Sequence, residues 1–256
     1  TLNTHDIVVD RDTMCYIYLR HSCGLEQSAW ISTSFRSKGL ENCDNYLTIG
    51  SASSTSQYVP GYTYYSYALS CQIYTPSEIG QTGKFTSLYF KSDRTLSYGR
   101  TVKIYMAETD KREFTSNTDW FKVSSADLVY DGSIHYVNGW NEITLSRPFT
   151  YSGTKNLVIV YDDNSGSYEN GPYFSTFNDA DGKNSAIYYY GDYTNLNPET
   201  SFSTSASGRL TSKNHIKLGY CVAVDACPEV ENLHVSDYQA TEVTLEWTSN
   251  ADYPGF

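Results

Sequence analysis

The chain has 256 residues, long enough to bury a real core, and sets 18 Lys and Arg against 29 Asp and Glu for a formal net charge of −11. That balance argues against gripping a nucleic-acid backbone or an anionic membrane surface, since both need clustered Lys and Arg. Hydrophobic residues are 39% and charged residues only 18%, with 25 tyrosines filling the gap; 7 Pro and 17 Gly exclude collagen and low-complexity linkers.

The chain opens at Thr1 rather than Met and shows no signal peptide, so it reads as a processed or excised piece of a longer protein. Helical periodicity is nearly absent. Short runs rich in Val, Ile, Tyr, Phe and Thr dominate instead, separated by Gly, Asn, Asp and Ser. Strands are expected at 16–20, 64–74, 84–91, 101–107, 128–130, 141–145, 156–161, 186–190, 215–222 and 242–247. Turns are expected at Asp131-Gly132, Asn138-Gly139, Ser152-Gly153 and Asp181-Gly182. Single helical turns are expected at Pro76–Ile79 and at Ser116–Trp120, where Ser116 and Asp119 have capping-box spacing. No apolar run approaches the roughly 18 residues of a membrane helix, which argues against membrane insertion. Many short strands with such punctuation indicate an all-β sandwich or barrel. The strand pattern lapses around Lys38–Asn45 and again around Ala223–Pro228. The chain therefore divides into 1–38, 39–225 and 226–256, the flanks too short to fold alone.

The C-terminal flank carries Cys227-Pro228, then Asn232-Leu233-His234-Val235, then Val243-Thr244-Leu245-Glu246-Trp247. It resembles the first two strands of a fibronectin type III domain, with Val243, Leu245 and Trp247 on one face. The N-terminal flank, Cys15-Tyr16-Ile17-Tyr18-Leu19-Arg20 followed by Cys23 and Ser28-Ala29-Trp30, is similar to the closing strands of that family. Cys15, Ile17 and Leu19 are expected inward, and Tyr16, Tyr18 and Arg20 outward. Cys15 stands where the family has its corner tyrosine.

The centre carries Gln72–Gly80, Lys103–Asp110, Leu128–Gly132, Gly139–Leu145, Pro148–Gly153 and Asn156–Ser167. In that order these segments resemble the gingipain-type (cleaved adhesin) jelly-roll domains. The resemblance implies an all-β jelly-roll sandwich, with partial fibronectin type III segments at both ends, and no catalysis.

The six cysteines allow 15 pairings. No CxxC pair is present, and the composition favours an oxidising compartment with at least one disulfide over six buried thiols. Cys43 and Cys221 flank the central domain and are the expected pair. The fibronectin resemblance implies that Cys23 and Cys227 each pair within a completed domain. Cys15 and Cys71 are expected as core thiols.

His5, His21, His135, His215 and His234 are scattered, and neither HExxH nor GxSxG occurs, so no catalytic residue is expected. Asp162, Asp163 and Asn164 follow an apolar strand into a sheet-end loop, with Asp179 and Asp181 soon after. Hard oxygens clustered in loops suit calcium, which takes about 6–8 oxygen ligands, and adhesin jelly rolls hold it; the same residue types are also ordinary turn formers. Tyrosines are dense at 58–67 and 188–193. Exposed rings stack on sugar C–H faces, which makes Tyr188, Tyr190 and Tyr193 the candidate ligand contacts, although Tyr is equally a plain strand former. The expected role is a non-catalytic module of an extracellular, multi-domain bacterial surface or secreted protein, used for adhesion, display or spacing. Its partners are a host or surface glycan or protein and neighbouring repeats of the same protein. The alternatives are a carbohydrate-binding domain of a secreted hydrolase and the repeat unit of a surface filament.

Overall fold

A computed structural model describes residues 14–19, 22–23, 26–27, 29–36, 41–200, 203–223, 230–238 and 243–249. The chain divides into two compact units, one from Cys43 to Cys221 and the other formed by the sequence on either side of it. In the N-terminal flank β1 (Met14–Leu19) is followed by the two-residue strands β2 (Ser22–Cys23) and β3 (Glu26–Gln27), which pair with each other. Strand β4 (Ile31–Arg36) then returns antiparallel to β1, Met14 opposite Arg36 and Leu19 opposite Ile31. Tyr16 and Tyr18 are exposed, as their alternation requires.

The central unit runs β5 (Glu41–Ile49), β6 (Ser54–Ser56), β7 (Tyr67–Tyr74), α1 (Pro76–Ile79), β8 (Gly83–Ser92), β9 (Arg100–Thr109) and β10 (Leu128–Ile134). It continues with β11 (Gly139–Tyr151), β12 (Asn156–Asp163), β13 (Phe174–Asn178), β14 (Ala186–Gly191), β15 (Gly208–Leu210), β16 (Ser212–Asn214) and β17 (Ile216–Ala223). Two antiparallel sheets result, not closed into a barrel. The first has the order β10-β9-β12-β7-β14-β15 and the second β16-β13-β8-β17-β5, with β11 also on β8 and β6 on β13. The chain crosses between layers repeatedly: β7 lies in the first sheet, β8 in the second, β9 and β10 in the first, β11 in the second. In the C-terminal flank β18 (Val230–Tyr238) pairs antiparallel with β19 (Val243–Ser249).

The fold is all-β, with every expected strand present. Three local expectations are corrected. Within Lys38–Asn45 the described part, Glu41–Asn45, is not a break but the start of β5, which hydrogen-bonds β17; residues 38–40 lie outside the described residues. Asp131-Gly132 is no turn but lies inside β10, opposite Lys103 and Val102 of β9. At Ser116–Trp120 there is one hydrogen-bonded turn and no helix: the Asp119 carboxylate accepts from Thr115 N and Oγ1 and from Lys111 Nζ, which leaves nothing to extend the turn. The turn at Pro76–Ile79 is helical. Thr75 and Glu78 cap it reciprocally, and Gly80 closes it at φ 71°.

The core lies between the sheets. Phe85, Leu88 and Phe90 of β8, with Leu218 of β17, face Ile104 of β9 and Ile159 of β12, all essentially inaccessible. Burial of each such side chain contributes about 1.5–3 kcal/mol. A second apolar layer covers the opposite face of the first sheet. Leu69, Cys71 and Ile73 of β7, Val158 and Val160 of β12 and Ile187 of β14 pack there against Phe114, Val123, Leu196 and Ala206 from the long loops 110–127 and 192–207. With both faces covered, β7 and β12 are buried along almost their whole length.

Cys43 and Cys221 form a disulfide between β5 and β17. Cys71 is a free, fully buried thiol whose pKa burial pushes up to about 12. The side chains of Cys15 and Cys23, and all of Cys227, lie outside the described residues, so the fibronectin-type pairings do too.

Candidate ligand-binding site

Strand β14 places alternate tyrosines on opposite faces. Tyr189 turns outward into the second apolar layer, whereas Tyr188 and Tyr190 point the other way. There the first sheet reaches its β14–β15 edge, and the segment 57–66 lies over the two rings. The Tyr58 ring stacks on Tyr188 at 4.8 Å and on Tyr190 at 6.1 Å. Tyr65 meets Tyr190 at 4.4 Å, and Tyr62 meets Tyr190 edge-on at 5.0 Å. Tyr62 continues the cluster to Tyr64, and Tyr64 to Tyr168, at 6.2 and 6.0 Å. The inner rings are half-buried or buried. The outer ones are open: Tyr64 is 51% and Tyr168 69% exposed.

Buried polar groups hold this segment in place. The Arg100 side chain, 1% exposed, donates to Asp163 Oδ2 at 2.9 Å, to Ser167 O at 2.7 Å and to Tyr65 O at 3.0 Å. Asn214 donates to Val59 O, Ser70 to Pro60 O, and Thr63 shares two hydrogen bonds with the Glu169 backbone. Ser66 donates through N and Oγ to Asp192 Oδ1, which puts an exposed carboxylate beside the rings. A Cβ on Gly61 would lie 2.6 Å from the Tyr161 ring, so only glycine lets the segment approach the sheet this closely. Burial and neighbouring phenols hold Tyr62, Tyr188 and Tyr190 above the ordinary tyrosine pKa, and a neutral phenol hydroxyl can donate or accept. The arrangement offers flat apolar faces rimmed with hydroxyls and one carboxylate, which suits a ring with C–H on its faces and O–H on its edge.

Two of the three expected ligand contacts, Tyr188 and Tyr190, form the floor of this cluster. Tyr193 stands on the next loop, 98% exposed, outside the ring contacts. The sequence singled out the density at Tyr58, Tyr62, Tyr64 and Tyr65 without assigning them the site. Nothing in the sequence marks Tyr168, a lone tyrosine in a loop.

The candidate metal residues fall into two groups with different partners. Asp163 pairs with Arg100 in full burial, and its Oδ1 accepts from Ser165 N and Oγ. Burial raises its pKa and the Arg100 charge opposes the rise. Asp162, on the other face of β12, accepts from Asn164 Nδ2 at 2.9 Å through Oδ2, while its buried Oδ1 has no partner among the described residues. Burial pushes its pKa up to about 7, against the Asn164 hydrogen bond and with help from the Asp163 charge. The second group surrounds Asp179. Burial pushes its pKa up, but the Arg112 hydrogen bonds at 2.7 and 3.0 Å and the Lys213 charge outweigh burial and hold the carboxyl at about 2. Asp181 takes the same guanidinium at 2.9 Å. Lys213 is itself fully buried and donates to Ile73 O, Glu78 and Asp179. The charges of Asp163 and Asp179 are thus met by protein cations. Among the described residues no three His, Cys, Asp or Glu side chains converge as a metal site.

No protein-family model matches the chain, and no curated protein matches it in sequence. Among solved structures it is similar to that of the cysteine protease and lectin-like domains of Cwp84, a surface layer associated protein of Clostridium difficile. The likeness covers 73% of this chain and 37% of that one, at 12% identity and a TM-score of 0.33, too low to assign a family or a ligand.

Proposed function

We propose that the chain is a non-catalytic module of an extracellular, multi-domain surface protein, and that its tyrosine cluster holds a neutral glycan. The observation that carries this reading is the cluster itself: contiguous tyrosine rings pinned by buried hydrogen bonds, with open faces at Tyr64 and Tyr168 and the Asp192 carboxylate beside them. Rigid, pre-placed rings lose little conformational entropy on binding, so stacking is not offset by ordering. The disulfide fits an oxidising compartment. Adhesion is then the work of the module, and the adhesin resemblance of its strand segments agrees.

A screen of neutral glycans followed by calorimetry tests it. Binding in the micromolar to millimolar range is expected, weakened about tenfold by Tyr64→Ala or Tyr168→Ala with the melting temperature unchanged, since an aromatic stacking partner is worth about 0.5–1.5 kcal/mol beyond its buried area. Silence across the screen, or binding indifferent to both substitutions, rejects the site.

A further inference from the structure

The outer face of the second sheet carries a strip that the tyrosine site does not use. Alternation along β11 puts Asn141, Ile143 and Leu145 in the core and leaves Trp140, Glu142 and Thr144 on this face. Register then sets Trp140 opposite Lys91 of β8, while Tyr89 of β8 lies between Glu142 of β11 and Lys217 of β17. Lys217 extends across the sheet with its ammonium 4.0 Å from the Tyr46 ring centre and 4.7 Å from that of Trp140. Lys91 reaches the same Trp140 ring at 6.0 Å.

These two lysines differ from Lys103, Lys111, Lys155, Lys183 and Lys213, each of which pairs with a carboxylate. Among the described residues no carboxylate lies within ion-pair distance of Lys91 or Lys217. Glu142, the exposed acid of the strip, lies opposite Tyr89 across the β11–β8 register. An ammonium over a ring keeps N–H donors to give, because the π face accepts charge and not a directed hydrogen bond. Beside Trp140 an open cleft of about 380 Å³ runs between β10 and β11, with Tyr130, His135 and Val137 on its walls.

Two ammoniums set around an indole ring, without a carboxylate partner among the described residues, call for a ligand that has a carboxylate and an apolar face close together. The chain's net charge of −11 repels polyanions at long range, so such a ligand is held only by local, complementary contact. We propose that this strip binds a carboxylate-bearing polysaccharide, a polyuronate, with a sugar face on Trp140 and its carboxylate on Lys217 and Lys91. This is a second surface, separate from the tyrosine cluster and independent of whether that cluster binds anything.

Affinity electrophoresis of the full chain through gels containing polygalacturonate, alginate or hyaluronate tests it, with fully methyl-esterified polygalacturonate as the uncharged counterpart. At least one free-acid polymer should retard the chain, less so at high salt, and the ester should not. Lys217→Gln and Lys91→Gln should each weaken retardation about tenfold, the expectation for losing a hydrogen bond to a charged group. Trp140→Ala should weaken it similarly, with circular dichroism checking the fold. Tyr64→Ala should leave retardation as it was, which separates this strip from the tyrosine site. Absence of retardation by all three polymers, equal retardation by the ester, or retardation unchanged in the double lysine variant overturns the proposal.

Discussion

The two sheets of the central unit use the same kind of strand in opposite ways. The first is covered on both faces, by its partner sheet on one side and by the loops 110–127 and 192–207 on the other, so β7 and β12 are buried almost without interruption. In the second, β11 alternates between core and solvent, so its outer residues are open. A doubly covered sheet has no face left for a partner. Its aromatic cluster lies instead at its edge, where Tyr188 and Tyr190 sit under the segment 57–66. The second sheet presents outward side chains along β11, and these bear the Trp140–Lys217 strip.

The largest expected effect concerns how the second sheet makes up for its thinner cover. Cys43 and Cys221 join its neighbouring strands β5 and β17 across 178 residues. On the chain-entropy account, closing a loop of that size stabilises by up to about 5 kcal/mol. Cys43→Ser with Cys221→Ser should lower the denaturation midpoint in urea accordingly, and a loss under about 1 kcal/mol would show that the second sheet stands without its crosslink.

Asp162 probes the cover over the first sheet. Its folded-state pKa is raised to about 7, so the folded chain holds this proton more tightly than the unfolded chain does. The group's contribution is therefore most favourable below about pH 4 and is lost as pH rises toward 7, by roughly 4 kcal/mol in all. Asp162→Asn should match the wild type near pH 4 and become progressively more stable than it up to pH 8. A constant difference across that range would mean that water reaches the carboxylate and that the loops do not seal this face.

A pair of truncations compares the covers directly. Phe114→Ala, in a loop over the first sheet, should cost about 3–4 kcal/mol in chemical denaturation. Tyr46→Ala, 55% exposed on the second sheet, should cost under about 1 kcal/mol. Equal costs would erase the distinction between the faces. The smallest effect belongs to Thr75→Ala, which removes the cap of α1 and should cost about 1 kcal/mol, with the strands unaffected.

Much of this architecture was legible where hydrophobic pattern and pairing coincide. The apolar run 156–161 announced β12, and period-two alternation put Tyr188 and Tyr190 on one side with Tyr189 on the other. Strand β5 was not legible, because Glu41–Asn45 is polar and, among its described side chains, Leu47 and Ile49 alone join the core; its partner β17 makes it a strand. The three-residue strands β6, β15 and β16 are too short to show any period. Asp131-Gly132 misled because turn chemistry is local, whereas the register with β9 that holds it extended is not. The site was half legible for the same reason. Tyrosine density shows in the sequence, but the Arg100 side chain that pins segment 57–66 draws its partners from residues 65, 163 and 167. The pairing of Asp163 with buried Arg100 and of Asp179 with buried Lys213 also arises only in three dimensions.

The crosslink between β5 and β17 has a mechanical corollary. A pull entering at residue 43 and leaving at residue 221 passes through one sulfur–sulfur bond and bypasses the polypeptide between them. The intervening chain stays slack, so tension applied at these two residues does not strain the tyrosine cluster or the sheet faces. Under such a load the domain acts as an inextensible bead.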